Sequence, residues 1–426
     1  MGTSGHGSQR GECTRAQVRA SAAISRSTGE IGARGNFGSQ LAAADPNRAN
    51  LQPNVDTRPP VLAQSAPFLN GPSWGAQREN PVDYKAYYQD KTILVTGGCG
   101  AIGSNLVRAL AEQQPRLIVV LDDLSSSKLW NLPNDPKVLF VQGSIADELM
   151  LKRVYLEKPD IVFHLAAFFA NQNSVDYPER DLEVNGLGTL RLLEYAAMNR
   201  TSKFVFASSG CAIYGKENPL PFREEFVSMH LTTPYQITKM LGELYCNFFW
   251  HHHGLAIVKP RFFNSYGPGE VPGQYRNVIP NFIYWALQGK PLVITGTGKE
   301  TRDFTWVGDI NDGLLRAGAM PQAVGEEFNL ASGTEVEIGY LAELVIQLTG
   351  STAGVRYGQR RVWDTKSRLV ASVEKAHRLI GYTPTSMPFE EGVRQTVEWV
   401  KANWARIEQD AAFTPGVSSA NRTVMR

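Results

Sequence analysis

The stretch Thr92-Ile-Leu-Val-Thr-Gly-Gly-Cys-Gly-Ala-Ile-Gly103 constrains this chain more than any other. An apolar run with β-branched residues ends in glycines, and helical spacing follows at Ile102, Leu106 and Leu110. A strand, a glycine turn and a helix in that order let the backbone approach a pyrophosphate closely. Side chains at Gly97, Gly100 and Gly103 would block that approach. The free N–H groups around Ala101 and Ile102, at the positive end of the helix dipole, would face the phosphates. The loop points to a bound dinucleotide.

A second apolar strand ends in Val119-Val-Leu-Asp-Asp123. A carboxylate there accepts hydrogen bonds from the adenosine ribose and repels a 2′-phosphate, which favours NAD over NADP. Asp122 follows the apolar run directly and is the better candidate; Asp123 suits the cap of the next turn. Val162-Phe-His-Leu-Ala-Ala167 closes a later strand with small residues, so Ala166 leaves room for the cofactor. His164 reads as a packed strand histidine.

The same alternation continues along the chain. Strands are expected at Leu117–Leu121, Val138–Gln142, Ile161–Leu165, Phe204–Ala207 and Ala256–Lys259, with helices at Ala101–Gln114, Pro178–Asn199 and Pro234–His253. Continuous apolar strands alternating with helices predict an α/β fold, a doubly wound parallel sheet of Rossmann type. The dinucleotide-binding domain is expected over 86–265, with a returning segment near 305–335. The Gly/Pro-rich stretches 266–304 and 336–410 suit a smaller C-terminal substrate-binding domain, and 411–426 reads as a loose tail. Residues 1–85 are rich in Gly, Ser, Ala, Gln and Arg without periodicity, and are expected to be disordered. They have some features of a transit peptide, although acidic residues recur among them.

Composition excludes several classes. Of 426 residues, 42% are hydrophobic and 20% charged, and the net charge is +2, which gives no reason to expect a nucleic-acid partner. No apolar run reaches the ~18 residues of a membrane span. Cys13, Cys99, Cys211 and Cys246 form no CxxC pair, so neither a disulfide framework nor a zinc site is expected. A reducing, cytoplasmic compartment is the simpler reading. His251-His-His253 ends a helix and reads as a solvated end, not a metal site.

Tyr235-Gln-Ile-Thr-Lys239 opens a helix, and i, i+4 spacing puts the phenol and the ammonium on one face. A phenol with a pKa near ~10 is a poor base at neutral pH. A neighbouring ammonium and a positive nicotinamide favour phenolate and make Tyr235 a usable general base. Ala207-Ser-Ser-Gly-Cys-Ala-Ile-Tyr-Gly215 follows a strand at the sheet edge where ligands bind, so a hydroxyl there suits a reacting sugar oxygen.

With these motifs in order, the chain resembles the extended short-chain dehydrogenase/reductase family, the NAD-dependent nucleotide-sugar epimerases and dehydratases. The resemblance runs from about Lys91 to Asn403. It adds HLAA at 164–167, NGLGT at 185–189, Arg261-Phe-Phe-Asn-Ser-Tyr-Gly-Pro268, Arg302-Asp-Phe304 with Asp309, Arg361 with Asp364, and Gly381-Tyr-Thr-Pro384. It implies that Tyr235 is the base and that Lys239 also holds the nicotinamide ribose. It implies that Asn264 contacts substrate and that Arg302 and Arg361 grip a nucleoside diphosphate. It implies a homodimer through the Pro178–Asn199 and Pro234–His253 helices, faces that could equally pack within one chain.

The chain departs from the family at the relay hydroxyl. Without gaps that slot is Gly210; a one-residue shift puts Ser209 there, which is preferred. Family dehydratases carry an Asp-Glu pair where this chain has Cys211 and Ala212, which argues against dehydration. Cys211 reads as a small packed residue, with a rescue acid as the alternative. Ser144 stands where an adenine-contacting Asp is common. Arg368 lies near the position that gates the sugar pocket, where a cation would favour an acidic sugar. The expected activity is C4 epimerisation of a nucleoside-diphosphate sugar through a 4-keto intermediate. The alternatives are a dehydratase or decarboxylase using the same chemistry, and a catalytically silent NAD-binding sensor or scaffold.

Overall fold

A computed structural model describes residues 84, 86–215, 218–384 and 386–413. The expectation for residues 1–85 falls almost entirely outside the described residues. Seven strands run parallel in one sheet: β1 Thr92–Thr96, β2 Leu117–Asp122, β3 Val138–Gln142, β4 Ile161–His164, β5 Lys203–Phe206, β6 Ile257–Phe262 and β7 Glu327–Leu330. Their spatial order is β3-β2-β1-β4-β5-β6-β7, and a short Ser208–Ser209 strand pairs beside β6. The order reverses between β1 and β4. A crevice at the carboxyl ends of the strands is expected at such a switch point.

Both faces of the sheet are covered, which is why its strands read as near-continuous apolar runs. Ile93, Val95, Ile118, Val120 and Phe163 face the Ala101–Ala111 and Val307–Ala319 helices. Leu94, Val119, Leu121, Val162 and Phe204 face the other side, toward Thr189–Met198 and Pro234–His253. A separate apolar cluster joins the Val278–Leu287, Ile338–Thr349 and Phe389–Ala402 helices in the C-terminal half.

The departures from expectation have local causes. β7 was not foreseen, because Glu327-Phe-Asn-Leu330 carries polar residues. Asn329 is nonetheless buried, donating to the carbonyls of Phe222 and Ser372 and accepting from Tyr214. The helix expected over Pro178–Asn199 is broken by a π-helical stretch at Leu182–Gly188. Within it Asn185 holds the Phe168 backbone from both sides, accepting at 2.8 Å from its N–H and donating at 3.2 Å to its carbonyl. Such bulges recur beside functional sites. Residues 411–413, expected in the tail, are docked: Phe413 stacks on Tyr284 at 5.3 Å. No helix of the described residues is long and apolar enough to cross a membrane.

Candidate active site

A cavity of about 480 Å³ opens at the switch point. Every candidate residue lines it: Gly97, Gly100, Ala101, Ile102, Gly103, Asp122, Ala166, Ser209, Tyr235, Lys239, Asn264, Arg302 and Arg361.

The cofactor end is built from backbone. Gly97 sits at φ +71, and a Cβ on it would meet the Ala166 nitrogen at 2.7 Å. A Cβ on Gly103 would meet the Gly97 carbonyl at 2.2 Å. These glycines therefore let β1, β4 and the helix converge. No side chain caps the helix N-terminus at Gly100, so its N–H groups stay available to a ligand. Asp122 is buried, and its carboxylate accepts from the N–H groups of Cys99 and Leu124, both at 2.9 Å, and from the Ser127 hydroxyl at 2.6 Å. Those bonds aim it along the glycine loop. Asp123 instead accepts from the Ser125 N–H, closing the turn. The uncapped helix end, the glycine cradle and the oriented Asp122 carboxylate fit NAD.

His164 is buried in β4 between the hydroxyls of Thr96 at 2.8 Å and Thr189 at 2.9 Å. Burial depresses its pKa to about 3, with the Lys239 ammonium adding to the effect, so the imidazole is neutral and structural. His251, His252 and His253 are exposed at the end of their helix.

The Pro234–His253 helix is started by Thr233, whose hydroxyl accepts from the Gln236 N–H, and by Pro234 in its first turn. Its face presents Tyr235 and Lys239 to the cavity, with the Lys239 ammonium 5.7 Å from the Tyr235 ring centroid. Lys239 donates to the Ala207 carbonyl at 2.8 Å. Burial lowers its pKa to about 8, opposed by Asp181, Cys246 and Glu243. Burial also pushes the Tyr235 phenol up, as do Cys211 and Asp181, while a hydrogen bond with the Ser209 side chain draws it down. Gly210 does not reach the cavity; it lies under Phe263, whose Cε2 would be 2.0 Å from a Cβ there. The hydroxyl beside Tyr235 is that of Ser209.

One turn beyond Lys239, Glu243 takes a bidentate pair from Arg261 at 2.9 and 2.8 Å and accepts from Ser208. Arg261 donates on to Tyr214 and to the Glu224 carbonyl. This buried network ties the Pro234–His253 helix to β6 and to the Ser208–Ser209 strand. Such buried charges must be fully paired to be tolerated.

At the substrate end, Asn264 donates to the Asp303 carbonyl at 3.0 Å. Arg302 donates from Nη2 to both carboxylate oxygens of Asp364, each at 2.9 Å. Arg361 lies over the Trp363 ring at 5.4 Å, and Trp363 donates to Gln172 at 2.7 Å. Cys211 lines the cavity; burial pushes its thiol up, against a hydrogen bond from the Asn264 backbone. Ser144 also lines it. Arg368 is exposed and paired with Glu335, away from the cavity lining. The 269–275 loop contributes Glu270, Gln274 and Tyr275 to the wall. Sequence reasoning missed Gln172, which reaches the cavity from the short Asn171–Asp176 helix, and Phe169, Arg276, Trp363 and Lys366, which reach it from loops. No spacing rule marks residues gathered from such distant segments.

Comparison with known proteins agrees with this geometry. Residues 93–331 match the NAD dependent epimerase/dehydratase family. An epimerase from Methanothermobacter thermautotrophicus is 52% identical, with a TM-score of 0.77 over 78% of this chain and 98% of its own. The UDP-glucose 4-epimerase of Thermotoga maritima, solved with UDP-glucose, is 35% identical, with a TM-score of 0.70 over 74% of this chain and 99% of its own. The Bordetella bronchiseptica enzyme WbmF, solved with NAD+ and UDP, is 36% identical, with a TM-score of 0.66 over 76% of this chain and 96% of its own. The chain belongs to the NAD-dependent epimerase/dehydratase family.

Proposed function

We propose that this protein is an NAD-dependent epimerase that inverts C4 of a UDP-sugar through a 4-keto intermediate. The observation that carries the reading is the convergence of Tyr235, Ser209 and Lys239 on one wall of the cavity, beside the cofactor cradle. Gly97, Gly100, Gly103, Asp122 and Lys239 would hold NAD, which when bound would supply reversible hydride acceptance for C4 and a positive charge that favours phenolate.

Tyr235 is the base. Burial, with Cys211 and Asp181, keeps its proton on. The Ser209 hydrogen bond and the Lys239 ammonium favour the phenolate, so the phenol accepts the 4-hydroxyl proton as C4 is oxidised and gives it back afterwards. Ser209 holds the sugar oxygen in line with the phenol. Lys239, anchored on the Ala207 carbonyl, is also placed to hold the nicotinamide ribose. Asn264 contacts the substrate, and Arg361 and Arg302 face the diphosphate, for which guanidinium forks are suited.

Loss of a hydroxyl from C6 would need an acid at the Cys211–Ala212 corner. Cys211 is a thiol raised by burial and Ala212 carries no acidic group, so the site favours epimerisation over dehydration. Exposed apolar side chains on the Leu182–Gly188 and Pro234–His253 segments (Leu182, Leu187, Ile237, Leu244 and Phe248) support a homodimer formed through them. The isolated thiols Cys99, Cys211 and Cys246 suit a reducing cytoplasm.

The test is incubation of the purified protein with UDP-sugars, read by NMR and mass spectrometry. Isomerisation without mass change, lost in Tyr235→Phe, is expected. A product of lower mass would replace epimerisation by dehydration or decarboxylation, and no turnover would refute the reading.

A further inference from the structure

Lys366 enters the cavity from the loop after Asp364 and has no part in the chemistry above. Its ammonium donates to the Cys211 carbonyl at 3.0 Å. Cys211 in turn is an electrostatic neighbour of the Tyr235 phenol and takes a hydrogen bond from the Asn264 backbone. Lys366 therefore sits on the side of the reacting sugar.

The surroundings give this charge little compensation. The ammonium lies 5.2 Å from the ring centroid of Phe222, which is buried. An ammonium offers three donors, and the carbonyl of Cys211 occupies one. Both oxygens of the neighbouring carboxylate, Asp364, already accept from Arg302 Nη2. Burial lowers the Lys366 pKa to about 8, and Arg302 adds to the shift while Cys211 and Asp364 oppose it. A half-buried cation of this kind, with donors to spare, is stabilised when a counter-charge arrives.

Resting on the reading of the cavity as a nucleotide-sugar site, we propose that Lys366 selects a hexuronic acid, its ammonium pairing with the carboxylate carried on C6 of the sugar. The carboxylate enters a wall of low polarity, where a charge-assisted hydrogen bond is stronger than in water. A neutral hexose brings only a hydroxyl to the same place.

The test measures kcat/KM for UDP-glucuronic acid and UDP-glucose, with the affinity for UDP alone, in the wild type, Lys366→Met and Lys366→Arg. The wild type is expected to favour the uronate. The uronate-to-hexose ratio should fall roughly ten- to a hundredfold in Lys366→Met, the size of a charged hydrogen bond, mainly through KM. Lys366→Arg, which keeps the charge, should recover part of it. UDP affinity should move far less than the ratio. An unchanged ratio in Lys366→Met overturns the proposal. Equal weakening of UDP also overturns it, because Lys366 would then serve the diphosphate. A wild type that epimerises UDP-glucose and refuses the uronate overturns this proposal alone. Turnover of neither sugar overturns the nucleotide-sugar reading beneath it.

Discussion

Gly210 occupies the slot in which the family pattern, aligned without gaps, places the relay hydroxyl, and the structure gives a reason why a side chain there is costly. A Cβ at Gly210 would lie 2.0, 2.4 and 2.8 Å from Cε2, Cζ and Cδ2 of Phe263. That ring is fully buried and stacked on Tyr214 at 6.1 Å, so it has nowhere to go. Forcing extra volume into such a core costs about 1–3 kcal/mol. For a domain of this size that is a fall in Tm of about 2–5 °C. Gly210→Ser should therefore lose that much in thermal unfolding of the NAD-loaded protein. Ser209→Ala should keep its stability and lose turnover by about ten- to a hundredfold, the value of one charge-assisted hydrogen bond. The double variant Ser209→Ala/Gly210→Ser should stay as slow as Ser209→Ala and be less stable. If Gly210→Ser unfolds at the wild-type temperature and rescues Ser209→Ala, the relay belongs to position 210 and the packing argument fails.

Two other predictions follow from the fold. His164, depressed to about 3 against an unfolded value near 6.5, stays neutral when folded while the unfolded chain takes up a proton. Its contribution is complete above pH ~6.5 and is lost as pH falls below it, by up to about 1.4 kcal/mol per pH unit. Between pH 7 and 5.5 the wild type should lose about 1 kcal/mol more than His164→Gln in urea unfolding, and parallel curves would refute the assignment. Leu244→Glu should convert a dimer to a monomer in sedimentation velocity, because Leu244 is 56% exposed on the helix proposed to form the interface. A monomeric wild type would remove that interface from the account.

The cofactor half of the site was legible because its chemistry is local. Glycines 97, 100 and 103, the acid ending β2 and the YxxxK pair each lie within one segment, and periodicity places each segment. Pro234–His253 was bounded correctly because Thr233-Pro234 starts it and Gly254, at φ +66, ends it. β7 was illegible because Asn329 is made strand-compatible by partners at Phe222 and Ser372, distant in sequence. The expectation of a cation near the sugar attached to Arg368, but the loop turns Arg368 outward to Glu335 and sends Lys366 inward. Side-chain direction in an irregular loop carries no period to read. The choice between Ser209 and Gly210 likewise depended on Phe263, a residue of another segment.

The central claim is that hydride leaves C4 and returns to C4 within one closed site. A UDP-sugar carrying deuterium at C4 tests this most directly, with the C4-epimeric product read by NMR in ordinary water. The account predicts that deuterium is retained at C4 of the inverted product. Replacement of that deuterium by solvent hydrogen would mean inversion by proton exchange, and would contradict it.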